Sequence, residues 1–104
     1  MKTIYISGPM TGIKDFNREA FMKAEKELLS DYIVINPVRI ASALRVEFLL
    51  KESDPPEWSD YIRADTKALM DADCIYMLKG WQGSKGADLE RYIALCLGLE
   101  MKYQ

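Results

Sequence analysis

The sequence predicts an α/β fold: a three-layer α/β/α sandwich around a parallel sheet of four strands, five at most, in the order 2-1-3-4. Three observations point there. Thr3-Ile-Tyr-Ile-Ser7, Tyr32-Ile-Val-Ile35 and Asp73-Cys-Ile-Tyr-Met-Leu78 are short apolar runs without polar alternation, as strands covered on both faces are. Helix-period stretches separate them, and no hairpin turn signal occurs. Strands alternating with helices imply right-handed crossovers and a parallel sheet. The 104 residues make one domain, 1–104, long enough to bury a core without disulfides or metal.

The first strand ends in Gly8-Pro-Met-Thr-Gly12, a loop with glycine at both ends. Open α/β sheets bind ligands at this place, outside the carboxyl ends of the strands. The loop is not G-x-G-x-x-G and no suitable acid follows it, which disfavours a dinucleotide fold. Asn17 is expected to cap a helix running to about Ser30, with Phe21, Ala24 and Leu28 inward and Lys23, Glu25, Lys26 and Glu27 in water. The second strand stops at Asn36-Pro37. Residues 39 to 51 read as weakly helical. Ser53-Asp-Pro-Pro-Glu57 is a breaker cluster suited to a lid, and it delivers a helix from about Glu57 to Met70. A last helix is expected from near Ala87 to Gly98, a C-terminal glycine, followed by a short strand at Glu100-Met-Lys-Tyr103.

Charge and residue usage exclude several classes of function. A net charge of −2 with no basic run lacks the footprint of a duplex nucleic-acid binder, yet leaves a small anionic ligand open. The N-terminal apolar run is too short for a signal peptide, and no segment reaches membrane-spanning length, so the expected location is cytoplasmic with no membrane partner. Cys74 and Cys96 lack C-x-x-C spacing and read as buried free thiols. Histidine is absent, which leaves carboxylates, Tyr and Lys to carry any chemistry; no metal or cofactor is expected.

Two stretches carry candidate chemistry. In the helix after the breaker cluster, Trp58, Tyr61, Ile62, Asp65 and Leu69 form one stripe with Asp65 near its centre. An unpaired carboxylate there would be costly to bury, so Asp65 is either a satisfied structural acid or an active-site acid with a raised pKa. The residues alone leave both readings open. The second stretch is Gly80-Trp-Gln-Gly-Ser-Lys-Gly-Ala-Asp-Leu-Glu90. Its three glycines let backbone approach a ligand, the helix start points free N–H groups at an anion, and Ser84, Lys85 and Gly86 add a hydroxyl, a charge and close access. Leu89, Tyr92, Ile93, Cys96 and Leu97 are expected to face the core, with Asp88 paired to Arg91 on the surface. Glu90 lies one turn before the small Ala94, which leaves room beside its carboxylate. A plain Gly-rich connection with solvated acids is the competing reading of this stretch.

Ile4-Tyr-Ile-Ser-Gly-Pro-Met-Thr-Gly12, the pair Asp65 and Asp73, and Ser84-Lys-Gly-Ala-Asp-Leu-Glu90 with Ala94 together resemble the nucleoside 2-deoxyribosyltransferase-like superfamily. More narrowly, the chain resembles the small DUF4406 family. The resemblance covers nearly the whole chain and implies the flavodoxin-like strand order. It implies that Glu90 is a nucleophile attacking an anomeric carbon, that Tyr5 orients it and that Asp65 is the second acid. Gly8, Pro9, Met10 and Gly12 of the first loop would line the substrate. At the position six residues before the nucleophile, transferases acting on free nucleosides tend to carry an acid, whereas the similar 2′-deoxynucleoside 5′-monophosphate N-hydrolases carry a Ser that meets phosphate. Ser84 occupies it here, and a hydroxyl beside N–H donors suits a phosphate where an acid would repel it. Thr11 stands where the hydrolases carry a basic residue.

The resemblance thus implies cleavage of an N-glycosidic bond, or deoxyribosyl transfer, on a nucleoside 5′-monophosphate without metal. It also implies a homodimer or higher homo-oligomer, for which Trp81 and Tyr103 are expected to be exposed. A non-catalytic binder of nucleotides or nucleotide-derived signals is the alternative, and an interaction module with structural acids the third reading.

Overall fold

The computed structural model describes residues 1–104. Four parallel strands, β1 (Thr3–Ser7), β2 (Ile33–Ile35), β3 (Cys74–Met77) and β4 (Glu100–Tyr103), form one sheet in the order β2-β1-β3-β4. Helices α1 (Arg18–Leu28), α2 (Pro37–Leu50), α3 (Trp58–Leu69) and α4 (Lys85–Leu97) flank it, giving the expected sandwich. No helix is long and apolar enough to cross a membrane.

Two apolar clusters lie on the two faces of the sheet. Strand residues alternate between faces, so Tyr5, Ile75 and Met77 pack with Leu69 of α3 and Ala87 and Ala94 of α4. Ile6 instead packs with Phe21 and Ala24 of α1, Val38 of α2 and Leu78. The central strands β1 and β3 are covered on both faces. β2 is not: it begins at Ile33, which is exposed because β2 lies at the sheet edge, so the expectation of a second buried strand is corrected.

Helix ends follow local chemistry, with some surprises. The Asn36-Pro37 pair starts α2 as well as ending β2: the Asn36 side-chain oxygen accepts from Val38 N (3.0 Å), and Pro37 fills the first turn, where no N–H is needed. The stretch read as weakly helical is therefore a full helix, although Val46, Leu49 and Leu50 stay exposed. Asp60 accepts from Glu57 N (2.8 Å) and fixes the start of α3 after the breaker cluster. Gly98 closes α4 at φ +72, as expected of a C-terminal glycine.

Asn17 does not cap α1 through its side chain. Asp15, Phe16 and Asn17 all have left-handed backbone (φ 51, 52 and 63), a conformation costing about 1 to 2 kcal/mol per non-glycine residue. The Asn17 amide donates instead to Pro9 O (2.9 Å), tying this turn back to the loop after β1.

Glu25 is a second correction on α1. Expected in water, it is buried, and Arg39 of α2 grips it through Nε to Oε1 and Nη2 to Oε2, both at 2.7 Å. The Asn36 amide adds a longer bond to Oε1 (3.4 Å). Helical spacing gave no hint of this, because the buried partner face is supplied by α2. The Arg39 guanidinium holds Glu25 below the usual carboxylate range.

Candidate active site

Residues 5 and 7 share one face of β1, and that face looks at α4. Tyr5 Oη donates to Glu90 Oε2 (2.5 Å) and Ser7 Oγ donates to Glu90 Oε1 (2.7 Å). Glu90 is 6% exposed, while Tyr5 and Ser7 are wholly buried. Both carboxylate oxygens thus have a neutral hydroxyl donor and neither has a cation. Burial raises the pKa of Glu90, against the pull of the two hydrogen bonds.

Asp65, on α3, lies near enough to Glu90 and Tyr5 for charge to act between them. Burial pushes its carboxyl up to about 8, with a further contribution from the charge of Glu90. Tyr5 is raised as well, by burial first and then by the charges of Glu90 and Asp65, so its phenol remains a donor. With its carboxyl near 8, Asp65 holds its proton at neutral pH, while the two hydroxyl donors, which Asp65 lacks, favour the anion on Glu90.

The helix that presents Glu90 is turned differently from the sequence expectation. Its buried residues are Ala87, Glu90 and Ala94, with Ile93 half-buried, whereas Tyr92, Cys96 and Leu97 are exposed. The i, i+3, i+4 stripe of large apolar residues is therefore not the core face. Small residues mark the true one, because α4 sits close against the sheet. Cys96 is exposed accordingly, while Cys74 is buried as expected. Arg91 does not pair with Asp88: its Nε donates to Tyr103 Oη (3.0 Å) and its guanidinium lies 4.8 Å from the Trp81 ring centre. Trp81, expected to be exposed, is half-buried against Tyr103.

The two glycine-bearing loops meet at the carboxyl ends of β1 and β3. A Cβ on Gly8 would come within 2.8 Å of the Leu78 side chain, so Gly8 is required for loop packing. A Cβ on Gly80 would lie 3.4 Å from Pro9. Met10 packs against the cluster around Ile6, and Gly12 has left-handed backbone (φ +80) in open space. Ser84 caps α4 by accepting from Ala87 N (3.2 Å), which uses an acceptor lone pair and leaves its O–H to donate elsewhere. Gly86 faces Ile62 of α3. Lys85 stands over the Trp58 ring, 5.3 Å from its centre, in a groove of about 370 Å³ that Asp88, Leu89, Arg91 and Tyr92 complete. A second groove of about 240 Å³ runs from Met77 through Trp81 to Gln104. Neither is lined by Glu90 or Asp65.

The structure thus brings Tyr5, Asp65 and Glu90 together, and separates Lys85 from them. Asp73, quoted with Asp65 in the resemblance, has another position: its carboxylate accepts from Thr3 N (2.8 Å) at the start of β1. Ser7 is the residue that motif reading missed. Its signal was present, since a hydroxyl two residues after Tyr5 on a buried strand must share its face. No group of three or more His, Cys, Asp or Glu side chains converges to hold a metal ion.

Fold and site define a class: an open parallel α/β domain whose central strand and last helix enclose a hydroxyl-bonded glutamate beside a second acid. The profile of a family described as a domain of unknown function, DUF4406, matches residues 2–103, and the chain belongs to that family. No curated protein matches it.

Proposed function

We propose that this protein cleaves the N-glycosidic bond of a (deoxy)nucleoside 5′-monophosphate, as the resemblance to the nucleoside 2-deoxyribosyltransferase-like superfamily implies. The observation that carries this reading is a buried glutamate held by two neutral hydroxyls, with a proton-bearing acid beside it. Glu90 attacks C1′ as the C1′–N bond breaks, and the bond's electron pair leaves on the base nitrogen, which takes the proton from Asp65. The transition state has oxocarbenium character, stabilised by the adjacent carboxylate. The resulting ester is opened at C1′ by a water whose proton returns to Asp65, freeing Glu90 and the sugar phosphate; a second base in place of water gives transfer. Ser84 lies six residues before Glu90, about 9 Å along the helix axis at 1.5 Å per residue. A sugar phosphate with its two contact distances spans a similar length. The phosphate would therefore take the Ser84 O–H and the first N–H groups of α4.

The second reading is a non-catalytic nucleotide binder. It is favoured by the depth of Glu90, whose oxygens are both engaged and which neither groove reaches. Self-association belongs to the proposal in either case: Tyr92 (65% exposed), Leu95 and Cys96, at i, i+3 and i+4, leave an apolar face on α4 that a second copy would cover. Light scattering that returns a monomer at every concentration removes that part.

The deciding experiment incubates the protein with deoxynucleosides and their 5′-monophosphates and measures free base, beside thermal shifts with the same compounds. Release preferring monophosphates is the expected outcome. A thermal shift without release leaves the binder, and neither signal with any compound overturns both.

A further inference from the structure

A strand residue to which the quoted motifs assign no role has the contacts of a tuning group. Ser7 ends β1, is wholly buried, and spends its single O–H on Glu90 Oε1 at 2.7 Å. Its backbone is tied down as well, since Ser7 O accepts from Leu78 N (2.8 Å). Tyr5 occupies only Oε2, so without Ser7 the other oxygen would face a dry interior with no donor. Leaving an ionised oxygen unpaired there is costly, and protonation is the ready escape.

We infer that Ser7 is a positioning residue for the proposed reaction: its hydroxyl fixes the Glu90 carboxylate in one orientation and favours its ionised form. The inference rests on the reading of Glu90 as nucleophile for its consequence in turnover, though not for the carboxyl chemistry itself. Groups facing Glu90 from the packed elements are few. Tyr5 and Ser7 come from β1 and Asp65 from α3, while the cluster on this side of the sheet, Leu69, Ile75 and Met77 with Met101 packed against it, is apolar. On α4 itself, Lys85 and Arg91 are engaged with Trp58 and Trp81. With no cation to hold the anion, two hydroxyls carry that task, and each should move the equilibrium measurably.

The working range of the pair is then bounded below by ionisation of Glu90 and above by loss of the Asp65 proton near pH 8. Removing Ser7 narrows this range from the acid side alone. A merely structural serine would lower activity evenly across pH.

The test uses the full chain as wild type, Ser7→Ala and Ser7→Cys. The Glu90 carboxyl carbon is followed by NMR during pH titration, its signal assigned by its loss in Glu90→Gln, and base release from deoxynucleoside monophosphates is profiled against pH. Ser7→Ala should raise the Glu90 midpoint by about one pH unit, the size of a hydrogen bond to a charged group. The acid limb of base release should move by the same amount while the alkaline limb stays. Ser7→Cys, with a weaker donor of similar size, should fall between. An unchanged Glu90 midpoint in Ser7→Ala overturns the inference. If no compound is cleaved by the wild type, the proposed reaction falls, and the carboxyl titration still decides the place of Ser7.

Discussion

Glu90 and Glu25 are buried to nearly the same depth, 6% and 8% exposed, and both oxygens of each accept a side-chain hydrogen bond. Their proton affinities nevertheless move in opposite directions. Glu25 meets the fork of Arg39, which neutralises it while completing its hydrogen bonds, and its pKa falls. Glu90 meets two hydroxyls that complete its hydrogen bonds without neutralising it, and its pKa rises. Hydrogen-bond satisfaction and charge compensation are thus separate quantities. The cation-matched acid braces α1 to α2, whereas the other is left electron-rich, next to an acid that holds a proton.

The contrast makes its largest prediction for chemistry. Glu90→Gln, nearly isosteric, should reduce base release by about 10³-fold or more by removing the proposed nucleophile, while monophosphate binding measured by calorimetry stays near wild type. Glu25→Gln should leave turnover per folded molecule unchanged and lower only thermal stability. If the two variants lose activity equally, the distinction between reactive acid and brace fails.

Next in size is the brace. Arg39→Ala strands a buried carboxylate and should lower Tm by several degrees at neutral pH. Because Glu25 titrates lower in the fold than in the unfolded chain, its stabilisation is present above about pH 4.5 and is lost as pH falls through its folded value. The penalty of Arg39→Ala should shrink accordingly in acid, which a thermal melt series from pH 7 to 3 measures.

Asp65 has the opposite sign. Its folded pKa of about 8 stands above the ordinary 3.8, so stability fully present below 3.8 is lost progressively as pH rises to about 8. Asp65→Asn removes that loss and should be more stable than wild type at pH 9 by about 1 to 2 kcal/mol, allowing for water access, with slower base release. A variant less stable than wild type in denaturant titrations at pH 9 would show that Asp65 is a structural acid.

The smallest effect on stability sits at the rim of the site. Ser84→Ala loses a helix cap and should cost about 1 kcal/mol of stability. It should also weaken monophosphate binding, by roughly 1 to 3 kcal/mol if the hydroxyl meets the phosphate, with nucleoside binding unchanged. Equal weakening for nucleoside and monophosphate would assign Ser84 to the cap alone.

Local patterns carried much of this protein. Apolar runs, glycine stops and breaker residues located the four strands and four helices to within a few positions, because backbone preferences act over a few residues. The same locality exposed Asp65 as an anomaly, and motif resemblance singled out Tyr5 and Glu90. Facing was another matter. Which side of α4 turns inward depends on how closely the helix approaches the sheet, and the close approach chose Ala87, Glu90 and Ala94 over the larger stripe. Burial of Glu25 depended on Arg39 arriving from another helix, and the edge position of β2 on the strand order. The partnership of Ser7 with Glu90 joins residues 83 positions apart in sequence. Spacing along the chain fixes which residues share a face; only packing decides what that face meets, and therefore which buried acid is neutralised and which keeps its proton affinity high.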